Sequence, residues 1–324
     1  MATRLFAAPS PHIHGGEKTR RIMLDVILAL VPALAVSTYV MGWRVLLLTG
    51  VAVAGCVVFE YLISRLLLKR GSTIGDLSAI VTGVLFAFNL PVGIPWWIVL
   101  IGAVVAIGVG KMTFGGLGCN PFNPALTGRI FLLIAYPVQM TDWTTNVPDT
   151  ISGSTALAEV KYSTYDVAGN IVLDRMNLES VDFLGMFGGT MNGSLGEIAS
   201  LALILGGLYL LWRKVITWHI PVAFIGTTFL LTLLIVGGDV EMAVAWILSG
   251  GLMIGAFFMA TDYVTSPSTA KGKLIFGIGA GVITVLIRFF GGYPEGVSFA
   301  ILLMNIVNPY IDSLTARKLF GGKK

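Results

Sequence analysis

Apolar runs close to twenty residues long recur along the whole chain, separated by short clusters of charge. A helix rising 1.5 Å per residue needs about 20 such residues to cross the hydrocarbon layer of a bilayer. The clear runs are roughly 22–41, 45–66, 96–113, 197–212, 219–236, 242–261, 274–290 and 297–313. Two shorter ones, roughly 76–90 and 126–140, are bounded by Gly, Pro or Asn. These read either as ordinary short helices or as half-helices that open a polar site at membrane depth. The chain is 12% charged, about half of what a soluble domain carries, so lipid is the expected solvent. Forty glycines fit close packing of spanning helices. The expected fold is all-α and polytopic, with about ten transmembrane helices, some short or discontinuous.

A basic balance of 21 Lys+Arg against 17 Asp+Glu could point to nucleic acid in a soluble protein. Here the bases fall between apolar runs and read as topology, so no nucleic-acid partner is expected; membrane lipid is. Arg4, Lys18, Arg20, Arg21, Arg65, Lys69, Arg70, Lys111, Arg213, Lys214, Lys271, Lys273, Arg317, Lys318, Lys323 and Lys324 fall on one side of a ten-span count. Arg44, Lys161, Arg175 and Arg288 fall on the other, and Arg129 stands at the head of a span. The positive-inside rule then puts both termini in the cytoplasm. Trp43, Trp96, Trp97, Trp212 and Trp218 fall near span ends, where an interfacial belt would place them.

This count divides the chain into a cytoplasmic segment 1–21, a five-helix half 22–140, an extracytoplasmic segment 141–195, a second five-helix half 196–316 and a cytoplasmic tail 317–324. Five spans per half would make the halves inverted, an arrangement common among transport folds. Asn123-Pro124 and Asn308-Pro309 are weak echoes between them, as are 82–91 and 250–267.

Chemistry has few candidates. Cys56 and Cys119 are the only cysteines, so no disulfide framework is expected, and a lone cysteine cannot hold an iron–sulfur cluster. The three histidines have no metal-ligand spacing with a carboxylate. Charges inside spans default to functional hypotheses. Asp25 and Glu60 either serve function or pair with Arg20, Arg21 or Arg65 at the interface. Asp76, Arg129 and Asp262 are better candidates for an intramembrane ion or flavin site. Asn120 and Asn123 could add ligands where a helix breaks, or form a packed Asn-Pro turn. Arg288 and Asp312 are expected to anchor span ends, and Cys119 to be a small buried residue.

In the extracytoplasmic segment, Ser152-Gly153-Ser154-Thr155 precedes a helical start at ALAEV. The hydroxyls there can cap the helix. A helix start also binds phosphate through its free amides, so Thr155 is placed to hold or be esterified to one. Asp149-Thr-Ile-Ser152-Gly153-Ser154-Thr155 resembles the flavinylation signature Asp-x-x-(Ser/Thr)-Gly-Ala-Thr, with Ser154 replacing the usual Ala. Ser10-Pro11-His12-Ile13, the run GGLGCNPFNPALTGR (115–129), the segment 261–288 and NIVNPYID (305–312) resemble the same family. These are the D subunits of Rnf electron-transport complexes, related to the B subunits of sodium-pumping NADH:quinone oxidoreductases. The latter typically carry a longer N-terminal extension, and here the first span begins near residue 22.

The resemblance implies a subunit of an ion-translocating oxidoreductase of the bacterial inner membrane, not active alone. It implies FMN joined to Thr155 through a phosphoester by a flavin transferase, and it allows a second, noncovalent flavin (riboflavin). Partners would be the A, B, C, E and G subunits, above all the covalent-FMN G subunit, and the transported ion Na+ or H+. A B-type quinone-reductase subunit, or a channel or solute carrier of the same architecture with no redox role, are the other readings.

Overall fold

The computed structural model describes residues 19–69, 73–142, 157, 161, 193–196, 200–291 and 295–316, and every regular element among them is helical. Four helices are long and apolar enough to cross a membrane: α1 (Thr19–Met41), α2 (Arg44–Leu67), α11 (Ala270–Phe290) and α12 (Val297–Thr315). A fifth candidate is bent: α9 (Val240–Leu248) and α10 (Leu252–Met259) meet at 67°. Shorter apolar helices stand where the remaining runs lie: α3 (Ser78–Phe88), α4 (Trp96–Met112), α5 (Pro124–Ala135), α7 (Ser200–Trp212) and α8 (His219–Ile235). One turn, α6 (Pro137–Met140), follows α5 after Tyr136.

Local chemistry explains the boundaries. Asn123 caps α5, its side chain accepting from Ala125 N and Leu126 N, with Pro124 supplying the first helical φ. Thr269 caps α11 through Gly272 N, and Asp239 caps α9. The 242–261 run reads in sequence as one span, but Ser249-Gly250-Gly251 interrupts it. Gly250 and Gly251 have φ of +72° and +66°, which an L side chain avoids and glycine tolerates.

The helices form one apolar core that includes Phe86 and Phe88 of α3 and Phe257 and Phe258 of α10. α2 packs on α3 and α4, α8 on α11, α1 on α7, and α12 on both α11 and α5. Several approaches are close enough to require glycine, among them two against the main chain of a neighbouring helix. A Cβ at Gly83 would lie 2.6 Å from Val53 Cα, and one at Gly206 would lie 2.2 Å from Ala29 O. The five interfacial tryptophans are all exposed at helix ends, Trp212 at 79%, and Leu46, Leu205 and Leu286 face outward as lipid-covered side chains do.

Candidate functional site

A cavity of about 90 Å³ opens where the N-terminal turns of α1 meet the connections before α5, after α7 and after α10. That volume is well beyond one water, which needs about 10–15 Å³. Apolar walls come from Val26, Leu85, Phe257 and Phe258, and polar edges from Ser78, Lys111, Asn120, Asn123 and Asp262. Three of the five intramembrane residues singled out in the sequence therefore meet here.

Their states differ. Asn123 is fully engaged: besides capping α5, its amide donates to Met259 O at 3.2 Å, tying α5 to the end of α10. Asn120 donates to Phe122 O, but its buried side-chain carbonyl accepts nothing, and such orphans are rare. Asp262 follows α10 in a turn where its carboxylate accepts from Val264 N and Thr265 Oγ1. Burial pushes its carboxyl above the usual carboxylate range, with the Val264 and Thr265 hydrogen bonds opposing the shift.

Asp76 and Arg129 do not line this cavity. Asp76 accepts from Ser78 N and Ser78 Oγ at the start of α3. Arg129 is buried in the middle of α5, not at a span head, because the helix begins at Pro124. It donates to Asn89 Oδ1 at 2.9 Å and to Ser298 Oγ at 2.6 Å, and it pairs with Glu295. It thus joins the end of α3 to the start of α12.

Several expected pairings are corrected. Glu60 pairs with Lys111 instead of Arg65. It binds Lys111 Nζ at 2.6 Å and accepts from Thr73 Oγ1 at 2.6 Å. Lys111, an interfacial base by its place in the sequence, is 2% exposed and also donates to Ser78 Oγ at 2.6 Å. Asp25 faces α7, accepting from Tyr209 and pairing with Arg213 at 3.1 Å, instead of Arg20 or Arg21 on its own helix. Cys119 is exposed rather than buried, in the glycine-rich turn 115–119.

Arg288 stands in the last turn of α11 and ties that end down from a buried position. At 1% exposure it reaches into the α9–α10 break, donating to Ser249 O at 3.0 Å, Gly250 O at 3.1 Å and Trp246 O. These are carbonyls that an interrupted helix leaves open. Leu157 fills the same notch: it is fully buried with Trp246, Met242, Val285 and Phe289. A Cβ on Gly250 would come within 2.5 Å of its side chain. Lys161 adds a bond from Nζ to Gly291 O at 3.0 Å, and its partial burial lowers its pKa. Asp149, Ser152, Gly153, Ser154 and Thr155 lie outside the described residues.

Leu157 docks at the C-terminal end of α11, whereas the cavity adjoins the connection that leads into its N-terminus. α11 has 21 residues, a length of about 30 Å, so the two features lie toward opposite ends of it. Apolar helices, a polar-edged cavity among them and a second anchored polar notch define a multi-pass membrane protein built around buried charge. The chain belongs to the NQR2, RnfD, RnfE family, whose profile matches residues 6–321.

Its relatives include the D subunit of the Na+-translocating ferredoxin:NAD+ oxidoreductase complex of Acetobacterium woodii, 46% identical over 99% of this chain and 96% of the relative. The D subunit of the proton-translocating ferredoxin:NAD+ oxidoreductase complex of Clostridium ljungdahlii is 43% identical over 97% and 96%. The D subunit of the ion-translocating oxidoreductase complex of Escherichia coli K12 is 38% identical over 98% of both.

Proposed function

We propose that this chain is the membrane subunit of an ion-translocating ferredoxin:NAD+ oxidoreductase complex. It carries FMN as a phosphoester on Thr155 and couples electron transfer to movement of Na+ or H+. The observation that carries the reading is full-length similarity to subunits of such complexes, joined to the signature Asp149–Thr155 in this sequence. The relatives name different ions, Na+ in one and protons in the other.

The shorter helices complete ten spans in two inverted halves, with both termini cytoplasmic and 141–195 outside the inner membrane. Pairing of like with like supports this: the first helices of the two halves, α1 and α7, pack together, and so do the last, α5 and α12. Under this topology the cavity faces the cytoplasm and Leu157 the exterior.

The described flank of the attachment site suits a covalently held group. Two residues beyond Thr155, Leu157 is locked in the notch between α9 and α11, and Lys161 holds Gly291 O. The flavin would supply one- and two-electron chemistry when bound, while the protein fixes its position. The G subunit and the flavin transferase would meet this outer face, with the A, B, C and E subunits completing the complex. A second, noncovalent flavin would find its partners along the lining of the cavity. Phe257 and Phe258 offer an apolar wall, Asn120 an open buried acceptor, and Lys111 and Asp262 charge at the rim.

Flavin fluorescence of the denatured subunit in a gel, after co-expression with the transferase, tests the covalent group. A fluorescent wild-type band and a dark Thr155→Val band are expected. Equal signals, or none in either, refute the attachment.

A further inference from the structure

α12 carries Asn305, Asn308 and Asp312 at helical spacing on one face. The connection from Asp262 to Ser268 lies across that face and touches it at both ends. Asn305 donates from Nδ2 to Thr265 O at 3.1 Å. Asp312 accepts from Ser268 N and Ser268 Oγ, both at 3.0 Å. Asn308 lies on the helix between these two clasps, and Ser266, midway along the connection, is buried as well.

The oxygens in this crevice are under-used. The bond to Thr265 fixes the orientation of the Asn305 amide, and its buried Oδ1 accepts nothing. Asn308 Oδ1 is likewise buried and without a donor. Pro309 has no N–H to give the carbonyl four residues back, which belongs to Asn305. Asn305 and Asn308 are 3% and 9% exposed, so bulk water does not satisfy them. Lys273 of α11 bonds Thr217 Oγ1 instead of this face. Buried acceptors gathered without a donor call for a positive ligand, and neutral oxygen donors beside a carboxylate suit a hard cation. Transport folds use carbonyls exposed at interrupted helices in the same way.

We propose that Asn305 and Asn308, with the Asp262–Ser268 connection and Asp312, form a binding site for a monovalent alkali cation of Na+ size. Asp262, at the start of that connection, also lines the cavity. The site's role in transport rests on the function proposed above; binding itself does not.

The test is equilibrium binding of radioactive Na+ to the purified, assembled complex, with K+ as competitor and ferredoxin:NAD+ electron exchange measured on the same samples. Wild-type complex is expected to bind Na+ saturably and to prefer it over K+. Asn308→Leu should lose one site per complex or weaken it at least about tenfold, about 1.4 kcal/mol. Asn308→Asp keeps the side-chain volume and adds charge, so it should hold the site and bind more tightly. Unchanged stoichiometry and affinity in both variants overturn the site, as does wild-type complex that binds no Na+. If electron exchange is intact in those samples, the proposed function survives that failure. If exchange is absent while Na+ binds as predicted, the function falls and the site stands.

Discussion

Lys111 Nζ sits 2.6 Å from Glu60 Oε2, and the two side chains are 2% and 0% exposed. The pair joins the end of α4 to α2, and through Ser78 Oγ it also fixes the start of α3. Removing one partner strands the other charge away from water, which costs about 3–5 kcal/mol. Glu60→Leu should therefore sharply lower the thermal unfolding midpoint of the detergent-purified subunit. The double variant Glu60→Leu/Lys111→Met should recover much of the loss, because no unpaired charge remains. Additive losses in a double-mutant cycle would contradict the pairing.

Gly83 and Gly206 sit where two backbones meet, and the nearest atoms to an added Cβ belong to main chain that cannot swing aside. Gly83→Ala and Gly206→Ala should each destabilise by about 1–3 kcal/mol through overpacking. Gly50 and Gly226 face open space, and Ala there should stay within about 0.5 kcal/mol of wild type. Thermal midpoints of the four variants check the contrast.

Arg288 closes the break between α9 and α10 by donating to Trp246 O, Ser249 O and Gly250 O. Each buried carbonyl left without a donor costs about 1–3 kcal/mol. Arg288→Met should deplete folded protein from the membrane and expose the 249–251 break to protease. Arg288→Lys should be intermediate, since an ammonium cannot reproduce the guanidinium fork. Wild-type protease resistance in Arg288→Met would show that the break is held by other contacts.

Helix positions are legible in the sequence because burial in lipid demands long apolar runs, and the runs near 22–41, 96–113 and 297–313 become α1, α4 and α12 within a few residues. The α9–α10 break is not, although Ser249-Gly250-Gly251 is a visible signal, since glycine pairs also occur inside intact spanning helices. Partners of buried charges escape sequence reading for a different reason. Spacing along one helix gives Arg65 as a neighbour of Glu60, whereas the true partner depends on which way α2 and α4 turn toward each other. The cavity is half legible: Asn120, Asn123 and Asp262 converge, but Lys111 looks in sequence like one more interfacial base.

The cavity's polar rim gives a prediction about flavin content. Asn120→Leu removes the open acceptor and Asp262→Leu the rim carboxylate, so each should lower acid-extractable flavin in the purified complex. Flavin bound covalently to the chain should be unchanged. Extractable flavin at wild-type levels in both variants would place any second flavin elsewhere.

The proposed electron route turns on Thr155. Tryptic peptides spanning residues 149–161, from wild-type and Thr155→Val subunits matured with the transferase, should be weighed by mass spectrometry. The expected wild-type peptide is heavier by one esterified FMN and fragments to place the adduct on Thr155, while the Thr155→Val peptide is unmodified. An unmodified wild-type peptide, or an adduct that persists on another residue of the Thr155→Val peptide, would contradict the attachment.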